Sequence, residues 1–228
     1  LFLTFYILTA LIFFYFWTKF FNIFFLIFLI ISFLHFGIDD KLSSGNLFNN
    51  VSEILIRGGI IILVPIEFHF SKTEVIFNIL LASEEFLNNL KFFTSRLYIL
   101  LFFLFTFWLG YNLFLKGLIF FKDKILFEII ALYFCFYYFE PLISFFTYFC
   151  FLHSIRHIKH EMKKLNLNFN TFFKKTIPFT LLTISFFILV YLFFQNINPT
   201  ELMFSYILVG LASLTIPHII LVNFLKEH

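Results

Sequence analysis

Phe20–Phe36 reads FFNIFFLIFLIISFLHF, a run of aliphatic and aromatic side chains with no charged residue and a histidine next to its end. About 20 such residues carry a helix across the ~30 Å hydrocarbon core of a bilayer. An ionisable side chain is expensive in that setting and persists where it has a task. The stretch therefore sets the fold as membrane-helical and supplies the first candidate functional residue, His35. Working outward, the whole chain is 61% hydrophobic and only 13% charged, whereas soluble domains sit near half apolar and a quarter charged. Mean hydropathy is +0.98. The 44 Phe among 228 residues, alongside abundant Ile, Leu, Asn, Lys and Tyr, read as an AT-rich coding bias, although Phe walls would suit a polyene ligand.

A net charge of +3 offers no basic face for nucleic acid. Cys135 and Cys150 lie in apolar runs without CxxC spacing and are read as small core hydrophobes. The sequence starts at Leu1 in mid-run, with neither the basic start nor the small-residue cleavage site of a signal peptide. The expectation is a fragment lacking its natural N-terminus.

Further spans are expected at Leu1–Trp17, Ile54–Phe68 (broken or tilted by Arg57-Gly58-Gly59), Leu97–Leu115, Ile125–Phe139, Leu142–His157, Ile177–Phe194 and Leu202–Leu225. Glu140-Pro141 divides two of them, since proline stops or kinks a helix. Ser71–Arg96 is expected as an interfacial amphipathic segment, and Ser43-Ser44-Gly45-Asn46 as a turn. The result is an all-α polytopic bundle of about seven transmembrane helices in a single domain, residues 1–228. Lys116, Lys122 and Lys124 mark one loop, and Arg156, Lys159, Lys163, Lys164, Lys174 and Lys175 another; the positive-inside rule makes both cytoplasmic. Gln195–Glu201 then falls outside and the C-terminus inside, giving a multi-pass protein of the inner (plasma) membrane. Lys91 and Arg96 fall on the expected outer side, so charge does not settle the N-terminal half.

His153 and His157 in HSIRH are four apart, so a helix sets both on one face, where they can share an ion. Neutral imidazole is well suited to a transition metal. The plainer alternative is a pair of membrane-edge histidines meeting lipid headgroups. His35 is read either as an interfacial residue before a turn or as a ligand oriented by Asp39 or Asp40. Convergence of His35 with His153 and His157 requires the Asp39–Asn50 loop to lie on their side. His218 follows Pro217, which frees a carbonyl one turn back; the imidazole either bonds that carbonyl or is aimed inward by the bend. His69, His160 and His228 are given no role, and Arg57, Glu128 and Glu140 are read as mutually paired structural charges.

Three motifs agree in order and spacing: LHFGIDD (Leu34–Asp40), TYFCFLHSIRH (Thr147–His157) and GLASLTIPHIILV (Gly210–Val222). They resemble the Brp/Blh family of membrane β-carotene cleavage oxygenases, and the likeness runs over nearly the whole chain. The resemblance implies a non-haem Fe(2+) enzyme that uses O2 to split β-carotene at its central double bond into two all-trans-retinal. It implies metal ligation by His35, His153 and His157, with His218 in or near the coordination sphere and Asp40 at the acidic position of the first motif. Retinal passed to a rhodopsin is a further implication. One departure stands out: the family's earlier Gly-Leu-Pro-His-Gly-Ala-x-Asp motif, with another ligand His, is missing, so residues 1–228 alone are expected to bind iron poorly. Rival readings are a diiron desaturase or hydroxylase, which uses more clustered histidines than the 7 in this sequence, a bis-His haem protein, and a non-catalytic transporter.

Overall fold

The computed structural model describes residues 2–43, 46–194 and 201–226. Ser44 and Gly45 of the expected turn, residues 195–200 and His228 lie outside the described residues. Among the described residues the chain is helical with no strand. Its elements are α1 Phe2–Lys19, α2 Phe21–Asp39, α3 Leu47–Phe68, α4 Phe70–Ile79, α5 Glu84–Lys116, α6 Lys124–Tyr138, α7 Pro141–Thr147, α8 Ser154–Lys164, α9 Phe169–Phe194 and α10 Glu201–Lys226. A 3₁₀ turn, Gly117–Lys122, joins α5 to α6, and a π-helical turn, Tyr148–His153, joins α7 to α8.

Local chemistry places several boundaries. Asn46 accepts the Asn49 N–H at the start of α3, Ser83 the Phe86 N–H at α5, and Asp123 the Ile125 N–H at α6. Gly117, at φ +61°, ends α5 in a conformation that favours glycine. Pro141 opens α7 at the position where its missing N–H is harmless.

Two expectations need correction. Ile54–Phe68 is not broken: α3 is continuous from Leu47, and Gly58 and Gly59 serve close packing. Ser71–Arg96 is not one interfacial segment. Leu81, at φ +68°, separates α4 from α5, and α5 carries Glu84 to Arg96 into the same helix as the apolar Leu97–Leu115.

α3 is the hub, packing against α2, α4, α5 and α6, while α1 packs on α10. One core cluster gathers Phe36, Ile60, Val64, Trp108, Phe120 and Phe136; another gathers Trp17, Phe25, Leu29, Leu87 and Val209. α2 and α3 run antiparallel, with Gly37 against Ile54 and Gly58 against Phe33. This packing sets the start of α3 at the same end of the bundle as the C-terminus of α5, since Asn46 donates to Tyr111 Oη at 2.7 Å. The start of α8 lies at that end too, because Arg156 bonds Asp40. Among the described residues two helical segments are long and apolar enough to cross a membrane, Phe21–Asp39 and Glu84–Lys122.

Candidate metal centre

The last turn of α2, the π-turn, α8 and α10 deliver four imidazoles to one place. Ring centroids stand 5.6 Å apart for His35 and His153, 6.4 Å for His153 and His157, 6.0 Å for His157 and His218, and 6.2 Å for His218 and His35. The four rings thus form a closed circuit drawn from residues as far apart in sequence as 35 and 218. His35 and His153 are buried, each 5% exposed.

The π-turn helps to bring this about. It holds one more residue per turn than an α-helix would, a device common at functional sites. It rotates His153 onto the side of Tyr148, whose hydroxyl donates to Asp40 Oδ2, before α8 resumes and presents His157.

Carboxylates back the rings. Asp39 Oδ2 stands 3.7 Å from His35 Nδ1, and Asp40 Oδ2 stands 3.5 Å from His153 Nδ1. These are ion-pair separations, longer than hydrogen bonds. The acidic pair therefore divides its work: Asp39 faces His35, and Asp40 faces His153. Burial alone would push the Asp40 carboxyl up; His153, the Tyr148 hydroxyl and the Arg156 charge outweigh it and hold the group below the ordinary carboxylate range.

The donor set fits a transition metal. Ligand atoms of His35, Asp39 and His153 all lie within 4.8 Å of one another. His153 Nδ1 is buried, and the Asp40 carboxylate is the charged group that faces it.

The four histidines open onto a cavity of about 780 Å³, within the usual range for small-molecule sites. Its walls are mostly apolar, with Phe28, Leu29, Phe77 and Phe145 among them, and Ser32 and Thr73 add hydroxyls.

Other candidates resolve plainly. Arg57 does pair with Glu128, at 3.2 Å, but Glu140 pairs with Lys72 instead. His69 Nε2 meets the Tyr137 carbonyl at 2.8 Å, and His160 is exposed on α8. Both cysteines are free and half-buried rather than core. The His218 ring lies beside those of His35 and His157. Arg156, which charge alone groups with the loop lysines, turns inward to Asp40 and Glu128. Tyr148 and Arg156 both lie in the TYFCFLHSIRH stretch, where the sequence gives no sign of the direction in which either points.

The structure is thus a helical bundle that sets four imidazoles, those of His35 and His153 buried, at the wall of an apolar cavity. The model of the β-carotene 15,15'-dioxygenase family matches residues 1–226, and the chain belongs to that family. A β-carotene 15,15'-dioxygenase from uncultured marine bacterium 66A03 is 32% identical over 228 residues, covering 96% of this chain and 78% of the relative. No solved structure matches the chain.

Proposed function

We propose that the protein cleaves β-carotene at its central double bond with O2, giving two all-trans-retinal, and that His35, His153, His157 and His218 hold an Fe(2+) ion for this reaction. Convergence of the four imidazoles at the cavity wall is the observation that carries the reading. Family membership supports the substrate and the reaction class. When bound, ferrous iron supplies the redox chemistry that activates O2.

The chain's own residues do the rest. The reaction adds one oxygen atom to each carbon of the broken double bond, C40H56 + O2 giving two C20H28O, and needs no acid or base. That fits a site whose charged groups stand behind the imidazoles rather than in the cavity. Asp39 and Asp40, beside Nδ1 of His35 and His153, favour the tautomers that leave the opposite ring nitrogen available as a ligand. Phe and Leu walls exclude water and bind a hydrocarbon by burial of its surface alone.

A substrate that resides in lipid, the exposed apolar side chains of α1, α2, α5 and α6, and the two apolar spans favour a multi-pass protein of the inner membrane. In this reading residues 1–228 act as one domain, the His end of the bundle and the C-terminus face the cytoplasm, and retinal is available to a rhodopsin in the same bilayer.

The test is expression of the full-length protein in a β-carotene-producing bacterium. Loss of orange colour with retinal in the extract is the expected result. Unchanged carotenoid with no retinal, in cells where the protein is folded and iron is supplied, rules the reaction out.

A further inference from the structure

Arg156 sits between the two histidines of HSIRH, yet it does not join the exposed lysines that follow it. Its Nη1 donates to the Asp40 carbonyl at 2.6 Å and reaches Asp40 Oδ1 at 3.3 Å, while Nη2 donates to Glu128 Oε2 at 2.8 Å. The same Oε2 accepts from Arg57 Nη2 at 3.2 Å, and Arg57 Nε donates to Glu53 Oε1 at 2.7 Å. Glu53 ends the chain by accepting the N–H groups of Leu42 and Ser43 at 3.0 and 2.8 Å. The short loop after α2 is therefore gripped twice, at the Asp40 carbonyl by a cation and at the Leu42 and Ser43 amides by an anion. The grips reach it from α8 and α3, and Glu128 of α6 links them by accepting from both arginines.

Stability is a poor explanation for this arrangement. Buried ion pairs lose in desolvation about what they gain in attraction, and apolar replacements are often as stable. Arg57 and Glu53 are both fully buried, and Arg57 Nη1 has no hydrogen-bond partner among the described residues. A guanidinium that bridges two oxygens does, however, fix geometry in a way that packing does not. The backbone fixed here carries Asp40, whose carboxylate faces His153 and accepts the Tyr148 hydroxyl.

We propose that Glu53, Arg57, Glu128 and Arg156 are positioning residues, a relay of alternating charge that holds Asp40 against His153 and so sets the orientation of that imidazole at the metal. The proposal rests on the metal-centre reading above. It concerns residues that touch neither metal nor substrate.

Co(2+) binding to the full-length, metal-free protein in detergent tests it, with affinity and the visible bands of the bound ion as readouts. Arg156→Lys keeps the charge but cannot span Asp40 and Glu128; Glu128→Gln keeps an acceptor but not the charge. Both are expected to weaken Co(2+) binding by about 10- to 100-fold and to shift the bands, as loss of groups that orient ligands usually does. Lys124→Met, which removes a 3.6 Å contact to Glu128 Oε1 from an exposed side chain, is expected to match the wild type. Wild-type affinity and bands in both relay variants overturn the proposal. So does failure of both to fold, because the pairs would then be holding the bundle rather than the site. If the wild type does not bind Co(2+), or His35→Ala and His153→Ala bind it equally well, the metal-centre reading itself falls and takes this inference with it.

Discussion

At two places in this molecule a methyl group is too much. A Cβ on Gly37 would lie 2.3 Å from the Ile54 carbonyl oxygen, and one on Gly58 would lie 2.2 Å from that of Phe33. Backbone cannot swing aside, so Gly37→Ala and Gly58→Ala must push α2 and α3 apart, at about 1–3 kcal/mol each. A Cβ on Gly59 meets only the Leu101 side chain, at 2.7 Å, which can turn away. Thermal unfolding should therefore rank Gly58→Ala well below Gly59→Ala; equal midpoints would refute the backbone-contact argument. Gly37 is also two residues from His35, so its substitution is expected to reduce activity beyond its effect on folding. At the imidazoles, His35→Ala and His153→Ala should each lower retinal formation in the full-length protein by at least about 100-fold, the upper range for groups that only orient ligands. His160→Ala, on the exposed face of α8, should leave it unchanged. The four histidines were legible because an ionisable group in an apolar run stands out on cost alone. Arg156 was not, because a residue in a basic run is counted by charge, and only packing against Asp40 reveals where it points.

The π-turn is the element on which the site depends most. Phe151 lies within it and is 68% exposed, so a change beside it disturbs little packing. Inserting one Ala after Phe151 would add a residue beyond the one the turn already absorbs and rotate everything after it by about 100°. His153 could then no longer share Asp40 with Tyr148. The insertion is expected to abolish retinal formation while helical content by circular dichroism is retained; full activity would show that the turn's geometry is incidental. Asp123 at the start of α6 makes a milder case. Burial pushes its carboxyl up, but Lys116 and the Ile125 N–H more than offset this and hold it below the usual carboxylate value. Its stabilisation is thus present above the unfolded-state pKa, about 3.9, and is lost as pH falls through the lower folded value. Asp123→Ala should cost about 1 kcal/mol near neutrality, and the gap to wild type should close below about pH 4. Hydropathy found most helices at this scale. It could not show that α3 continues through Gly58-Gly59, or that α5 absorbs Glu84–Arg96, because both depend on neighbours that cover the offending residues.

For the molecule as a whole, large apolar side chains lie exposed along several helices. Phe102, Phe103, Phe107 and Phe114 on α5 and Phe127 on α6 are all more than half exposed. After expression, the protein should stay in the membrane pellet through an alkaline carbonate wash; release into the supernatant would contradict a multi-pass arrangement. The expected set of about seven spans compares with two segments that meet the length and hydropathy test among the described residues. The difference has physical causes where it can be traced. α6 is only 15 residues long, α3 carries the buried pair Glu53 and Arg57, and the stretch from Pro141 is interrupted by the π-turn. α5 raises a different matter. Its 33 residues extend about 50 Å, well beyond a ~30 Å apolar slab. In a bilayer such a helix must lean or protrude, and Lys91 and Arg96, lying over Phe70 and Phe92, are placed to meet phosphate headgroups at its edge. A rod of that length senses how thick its surroundings are: thinner lipid would increase its lean, and through α3, which packs on it, alter the spacing of the helices that carry the imidazoles.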